Sequence, residues 1–264
     1  MPRTLVTFHA HPDDEAIATG GSMAKAAEAG HRVVLVVATR GEEGEVAQGF
    51  LPEGEALWER RVKETHAAAE ILGVSRVEFL GYVDSGMMGT PTNDVAECFW
   101  KADVEEAARR LAAILEEERA DVLTAYDENG VYGHPDHIQV HRVGMRAGQL
   151  AGTPKVYMNT VNMDAFRRSM KDLAELDLPM PGDIPPEDFE LGVPEHRITT
   201  TVDVNDKLEI KRAAMAAHAS QIAETSFFLA MPPEMFALAF GQESFMLEGA
   251  PAGTAETDLF EGLD

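Results

Sequence analysis

The stretch Phe8-His9-Ala10-His11-Pro12-Asp13-Asp14-Glu15 constrains this chain more than any other. Residues 4–8 before it have the composition of a buried strand, and residues 15–29 after it are alanine-rich and read as a helix. Polar residues therefore gather where a strand ends and a helix begins, which is where open α/β sheets place their chemistry. Pro12 fixes one backbone torsion and tightens the turn, so that His11 and the two carboxylates face a common space. An imidazole and a carboxylate three positions apart can chelate one metal ion.

The same alternation runs on through the chain. Residues 32–38 form a continuous Val/Leu run of the kind found in parallel strands covered on both faces. Further strands are expected at 76–80, 121–125, 155–160 and 197–204. Helices are expected at 55–72, closed by Gly73, then at 102–119, 137–151, 163–176 and 206–223, with a short one at 232–240. This pattern predicts a Rossmann-like, three-layer α/β fold with a mostly parallel sheet. Without a Ser/Gly-rich linker, residues 1–248 read as a single domain. The proline-rich segment 179–194 reads as an irregular flap, and the acidic end, 249–264, as a tail with the composition of disorder.

Composition narrows the function classes. With 22 Lys+Arg against 46 Asp+Glu, the net charge of -24 repels phosphate backbones and anionic lipid, so neither nucleic acid nor membrane is an expected partner. No apolar run approaches membrane-spanning length and no charged-then-apolar export signal opens the chain, so a cytoplasmic location is expected. The single cysteine, Cys98, excludes an internal disulfide and a thiolate-rich zinc site, leaving His and Asp as metal ligands.

A second polar stretch, Tyr126-Asp127-Glu128-Asn129-Gly130-Val131-Tyr132-Gly133-His134-Pro135-Asp136-His137, again joins a strand end to a helix start. If the two loops are neighbours, His11, Asp13 and Asp14 meet His134, Asp136 and His137. Two imidazoles and one carboxylate with an open fourth position describe a catalytic zinc site, where a spare carboxylate takes the proton of water. The chain carries no His-Glu-x-x-His, no Gly-x-Ser-x-Gly and no phosphate-binding glycine loop, which leaves hydrolysis by metal-activated water. Asp13 or Asp14 as a plain helix cap, and His141 in place of His137 as a ligand, stay open at this point. His9, alternating with His11, reads as a buried structural imidazole.

The pair Ala10-His11-Pro12-Asp13-Asp14-Glu15 and Gly133-His134-Pro135-Asp136-His137 resembles the two signature motifs of the LmbE-like, or PIG-L, family of zinc-dependent N-acetylglucosamine deacetylases. The likeness reaches at least Gln221 and takes in Gly41-Glu42-Glu43-Gly44-Glu45 and Asp84-Ser85-Gly86-Met87. It implies zinc ligands at His11, Asp14 and His137 and a general base at Asp13. It also implies an imidazole at His134 that protonates the leaving amine or stabilises the oxyanion, supported by Asp136, and a tyrosine at Tyr132 leaning over the site. Arg61 and Asp84 align with groups that hold sugar hydroxyls. Met87, as a sugar-pocket wall, and His218, in Ala217-His218-Ala219-Ser220-Gln221, complete the substrate-binding candidates.

The resemblance further implies a small N-acetylated amino-sugar substrate: a GlcNAc-type glycoside, a pseudo-disaccharide or a sugar of a secondary metabolite. The cofactor is Zn2+, though an N/O site also accepts Fe2+ or Co2+. Homo-oligomerisation is left open. Within the family the likeness leans toward the deacetylase and conjugate amidase of mycothiol metabolism, but Ala18 stands where the amidase branch carries a lysine, which weakens the alternative of an amidase acting on mycothiol-like conjugates. From other classes, a non-catalytic sugar- or nucleotide-binding module and a metal-dependent phosphoesterase are the competing readings.

Overall fold

Strand β1 (Thr4–His9) is the axis of the sheet, and the chain leaves it first to one side and then to the other. The computed structural model describes residues 1–175 and 191–263. After β1 come α1 (Asp14–Ala18), α2 (Gly20–Glu28), β2 (Arg32–Val37), α3 (Leu57–Leu72), β3 (Arg76–Phe79) and α4 (Val104–Glu118). The second half holds β4 (Val122–Tyr126), α5 (Gly130–Gly133), α6 (Pro135–Ala151), β5 (Lys155–Thr160), α7 (Met163–Glu175), β6 (Thr200–Asp203), α8 (Leu208–Ala217), α9 (Phe227–Ala230), α10 (Pro233–Phe240) and β7 (Gln242–Leu247).

Among the described residues the strands form one sheet in the order β3-β2-β1-β4-β5-β7-β6. The five strands from β3 to β5 are parallel neighbours, as the buried Val/Leu runs predict, while β7 is antiparallel to both β5 and β6. Alternate side chains of the central strands feed two cores. Leu5, Val33, Leu35 and Val37 pack with Met23, Leu72 and Met215 under α2, α3 and α8. Val6, Phe8, Val34 and Val36 pack with Leu111, Val140 and Val143 under α4 and α6. Helices on both faces make the expected three layers.

Because β2 lies on one side of β1 and β4 on the other, the topology reverses between β1 and β4, and the crevice beyond their C-terminal ends is where such sheets bind ligands. Both polar stretches leave the sheet at that edge.

Several boundaries differ from expectation for identifiable reasons. The helix expected over 15–29 breaks at Thr19 into α1 and α2, because Glu243 accepts hydrogen bonds from Gly21 N and Ser22 N at 2.8 Å each and starts a new helix there. Gly21 also lies against Val204, and a Cβ at that position would stand 2.5 Å from the valine Cβ. The helix expected to Ala223 ends at Ala217, where His218 takes a non-helical conformation. Strand β7 was not anticipated, since Gln242, Glu243 and Ser244 disguise a strand that is buried for most of its length. Of the flap expected at 179–194, residues 179–190 lie outside the described residues, as does Leu176 of the helix preceding it.

The acidic end, read from composition as a disordered tail, makes contacts with the sheet among the described residues. The Glu256 backbone pairs with Thr199 and Thr201, and its carboxylate accepts from Lys155 Nζ at 2.7 Å and Tyr157 Oη at 2.6 Å. Leu259 is buried, and Phe260 stacks on His31 with centroids 4.2 Å apart. Acidic residues outnumber these anchors, and composition therefore concealed them. No described helix is long and apolar enough to cross a membrane.

Candidate metal centre

The first loop is built by local hydrogen bonding. Asp14 Oδ2 accepts from His11 N at 2.9 Å, which closes the turn across Pro12. Asp13 sits at φ 100°, a conformation that costs a non-glycine residue of the order of 1–3 kcal/mol. Three contacts maintain it: Asp13 N donates to Glu15 Oε2 at 3.0 Å, and Arg61 Nη2 donates to Pro12 O at 2.5 Å and to Asp13 Oδ2 at 3.2 Å.

The second loop is shaped by Asp127, which accepts from Asn129 N at 3.0 Å and Val131 N at 2.9 Å and takes the Thr160 hydroxyl on its other oxygen. Gly130, at φ 61°, is required here, because a Cβ would lie 2.6 Å from that of His137. His134 caps α6, its Nδ1 accepting from Asp136 N at 3.1 Å, so the neutral ring carries its proton on Nε2. His137, one turn in, stacks on Tyr126 with centroids 4.5 Å apart.

The loops meet as expected. Asp14 Oδ2 lies 3.5 Å from His11 Nδ1 and 3.4 Å from His137 Nε2. Ring centroids of His11, His134 and His137 are 4.7 to 5.4 Å apart, and their nitrogens fall within 4.8 Å of one another. His11 Nε2 faces Asp136 Oδ2 at 3.2 Å and Asp84 Oδ1 at 3.4 Å, a second group of possible metal donors. Tyr132 Oη stands 3.4 Å from His137 Nε2 at the open side.

Other expected site residues take parts different from those expected. Asp136 does not support the His134 ring with its carboxylate; that carboxylate holds His11 and accepts from Ser85 N at 2.9 Å and from the Ser85 hydroxyl. Arg61 is 3 % exposed, its guanidinium committed to Asp13, Pro12 O and Gly41 O, and so faces inward rather than toward sugar hydroxyls. Asp84 is buried too, with Gly86 N on one oxygen and Glu43 N on the other. His218 is fully buried, 2.5 Å from Glu15 Oε1. Met87, 53 % exposed, is the one substrate-binding candidate of the four that reaches solvent. His9 bridges Tyr126 Oη and Thr19 Oγ1 at 2.8 and 2.9 Å, and His141 Nδ1 meets Tyr126 O at 3.0 Å, away from the cluster. Sequence reasoning missed Ser85 and Glu15 as supports. Their presence inside the quoted motifs was the available signal.

Electrostatics follow from burial and crowding. Burial pushes the Asp13 carboxyl up to about 6, with Asp14 adding to the shift against Arg61. Against the penalty of burial, His137 and His11 hold Asp14 well below the carboxylate range, and His11 does the same for Asp84. His11 itself is raised well above its usual value, because Asp84, Asp136 and Asp14 outweigh its burial. Burial, with help from His11, lowers His134 to about 4 and His137 to about 3, so both rings are neutral at pH 7.

These residues fit a divalent cation. Three carboxylates crowd His11 and call for positive charge. If His11 donates its Nε2 proton to Asp136, its Nδ1 lone pair is free toward Asp14, the arrangement in which an outer carboxylate orients a metal-binding imidazole. His137 is neutral, as a ligand must be.

Fold and site together define an α/β protein with a candidate histidine–carboxylate metal site at the topological switch point of its sheet. Residues 6–148 match the family model described as PIG-L, GlcNAc-PI de-N-acetylase. The chain is 41% identical over 288 aligned residues, covering 99% of this chain and 97% of the other, to the 1D-myo-inositol 2-acetamido-2-deoxy-alpha-D-glucopyranoside deacetylase of Thermomonospora curvata. It therefore belongs to the PIG-L family. Among solved structures, the N,N'-diacetylchitobiose deacetylase of Pyrococcus horikoshii is similar in fold, with a TM-score of 0.59, 21% identity and coverage of 93% of this chain and 83% of that one. GalB, the 4-carboxy-2-hydroxymuconate hydratase of a pseudomonad, is also similar, with a TM-score of 0.59, 19% identity and coverage of 94% and 97%. The fold alone thus fixes no reaction; the side chains of the site do.

Proposed function

We propose that this protein is a metal-dependent N-deacetylase that hydrolyses the acetamide of a small amino-sugar substrate. The observation that carries the reading is the placement of Asp14 Oδ2 between His11 Nδ1 and His137 Nε2, at 3.5 and 3.4 Å, with Asp13 one residue away. The relatives at about two-fifths identity are deacetylases of an acetamido-glucopyranoside linked to inositol, and a substrate of that class is the one we assign.

His11, Asp14 and His137 would hold the ion, with Zn2+ our choice and Fe2+ or Co2+ compatible with the same N/O donors. When bound, the ion supplies Lewis acidity, polarising a carbonyl and making water acidic near neutral pH. Asp13, whose carboxyl is raised to about 6, takes the proton of the attacking water. His134, its single proton fixed at Nε2 because Nδ1 is occupied by Asp136 N, donates a hydrogen bond to the developing oxyanion, and the proton that Asp13 takes from water passes on to the departing amine. Tyr132, beside His137, donates a hydrogen bond to that oxyanion. Ser85 fixes Asp136, which in turn fixes the ring of His11. Amides need these functions together, since the carbonyl is a poor electrophile and the amine a poor leaving group.

Acetate release from N-acetylated glucosaminides, with the metal removed and then restored, tests the reading. Release that requires a divalent ion and fails in Asp13→Asn supports it. Equal turnover by the metal-free protein, or retention of activity in Asp13→Asn, sinks it.

A further inference from the structure

Within α5, Val131 stands at φ 67° and ψ -49°, a backbone conformation in which a β-branched residue is a genuine outlier. Such strain persists only where the surroundings impose it. Here the backbone is gripped on both sides of the residue. Val131 N donates to Asp127 Oδ1 at 2.9 Å, and Val131 O accepts from Gly192 N at 2.7 Å. Neither partner is free to follow the valine. Asp127 is fully buried, with Asn129 N on the same oxygen and the Thr160 hydroxyl on the other at 2.5 Å. Gly192 is wedged at φ 64° against Val161, where a Cβ would lie 2.1 Å from Val161 O. The next residue is pinned as well, Val193 N donating to Val161 O at 2.9 Å and Val193 O accepting from Met163 N at 3.0 Å.

The residue that follows Val131 is Tyr132, whose hydroxyl stands 3.4 Å from His137 Nε2 at the open side of the site. Its ring meets His137 and His134 edge-on, with centroids 4.9 and 6.3 Å away, so the backbone at Val131 decides where the hydroxyl points. The hydroxyl lies at the end of a long rigid side chain, and a modest turn of that backbone carries it away from His137. Building on the deacetylase reading, we infer that Asp127 and Gly192 are positioning residues for the reaction: by gripping Val131 at its N–H and its carbonyl, they aim the Tyr132 hydroxyl at the space where the oxyanion forms. A valine released from either grip relaxes to negative φ, and the tyrosine turns with it. The segment after residue 190 thereby completes a loop whose sequence ends more than fifty positions earlier.

The test uses the full chain with metal restored. Asp127→Ala frees Val131 N, and Gly192→Ala breaks the other grip at a part-exposed position should the first variant fail to fold. Each is expected to keep its metal and to lose about 10- to 100-fold in kcat, with KM within about twofold, as for a misplaced oxyanion donor. Tyr132→Phe loses a similar amount, and adding either alanine to it costs no more than about twofold further, because a hydroxyl already absent cannot be misaimed. Asp127→Asn keeps the acceptor oxygen for Val131 N and turns its amide toward the Thr160 hydroxyl, so its kcat stays within about threefold of wild type. Losses that multiply with Tyr132→Phe, loss of the metal, or an Asp127→Asn as damaged as Asp127→Ala would each overturn the assignment. Fluorine NMR of the metal-free protein carrying fluorotyrosine needs no substrate. The signal missing from Tyr132→Phe moves toward that of the free amino acid in Asp127→Ala and Gly192→Ala and keeps its place in Asp127→Asn. If no glucosaminide loses its acetyl group with any divalent ion yet the signal moves in this way, the deacetylase reading fails and the grip on Tyr132 stands. If acetate is released and the signal stays in place in both alanine variants, the grip is overturned.

Discussion

His218 Nε2 lies 2.5 Å from Glu15 Oε1, and neither side chain reaches solvent. The second oxygen of Glu15 accepts Asp13 N, so a histidine more than two hundred positions downstream steadies the backbone of the proposed base. Glu15 is held below the usual carboxylate range, against the penalty of burial, by that imidazole.

Removing the imidazole strands a buried carboxylate. His218→Ala is expected to cost about 3–5 kcal/mol in urea unfolding, the range for a broken buried pair. It acts through Asp13, so kcat falls while KM for the sugar stays within about twofold. A raised KM with unchanged stability would instead make His218 a sugar contact.

Asp13 and Asp14 separate by role. Asp13→Asn retains a full metal equivalent after dialysis and loses about 10²–10⁴ in kcat. Asp14→Ala and His137→Ala lose the metal itself, read by elemental analysis. The reverse pattern would exchange the two aspartates.

Ser85 is expected to matter although it approaches no proposed ligand directly. In Ser85→Ala the Asp136 carboxylate loses the hydroxyl donor, and His11 is less firmly oriented. Metal affinity drops about 10- to 100-fold in competition with a chelating dye, and the loss of the partner of Trp100 N costs about 1–3 kcal/mol in folding. An unaltered affinity would leave Asp136 without an orienting part.

Stability should depend on acid through Glu118, far from the site. Arg32 Nε at 2.5 Å and Arg76 Nη1 at 2.8 Å hold its carboxyl at about 2, from a reference of 4.5. A carboxyl lowered on folding stabilises fully above its unfolded value and loses that contribution as pH falls through the folded one, here between 4.5 and about 2. Glu118 is 8 % exposed but Arg32 is 45 % exposed, so solvent screening reduces the contribution to about 1–2 kcal/mol. Urea midpoints of wild type and Glu118→Gln should differ at pH 7 and converge toward pH 2, and a constant gap would assign the effect to packing.

The strands and the two polar loops were legible in the sequence because parallel strands covered on both faces are uniformly apolar and end abruptly. β2 is five buried aliphatic residues after Arg32, and β1 ends at His9, two residues before His11. Legibility failed where a polar residue is buried with a partner distant in sequence. Glu243 broke the pattern of β7, yet it is satisfied by Lys211 and α2. Arg61, Asp84 and His218 were read as facing substrate because the family resemblance aligns them with groups at the substrate side of the site. Each faces inward, with its partners on other elements, and spacing along one chain does not report such pairings. Composition was equally mute about Leu259 and Phe260, two anchors in an acidic run.

Glu243 sits on β7, between β5 and β6, and clamps the first turn of α2, one short helix beyond the opening motif. Both motif loops are complete by residue 137, and yet the scaffold beneath the earlier one is finished only when β7, about a hundred residues further on, threads back into the sheet. A minimal transplant of the two loops would therefore miss a keystone. During synthesis the ion-binding geometry should mature only once β7 has been made and has entered the sheet.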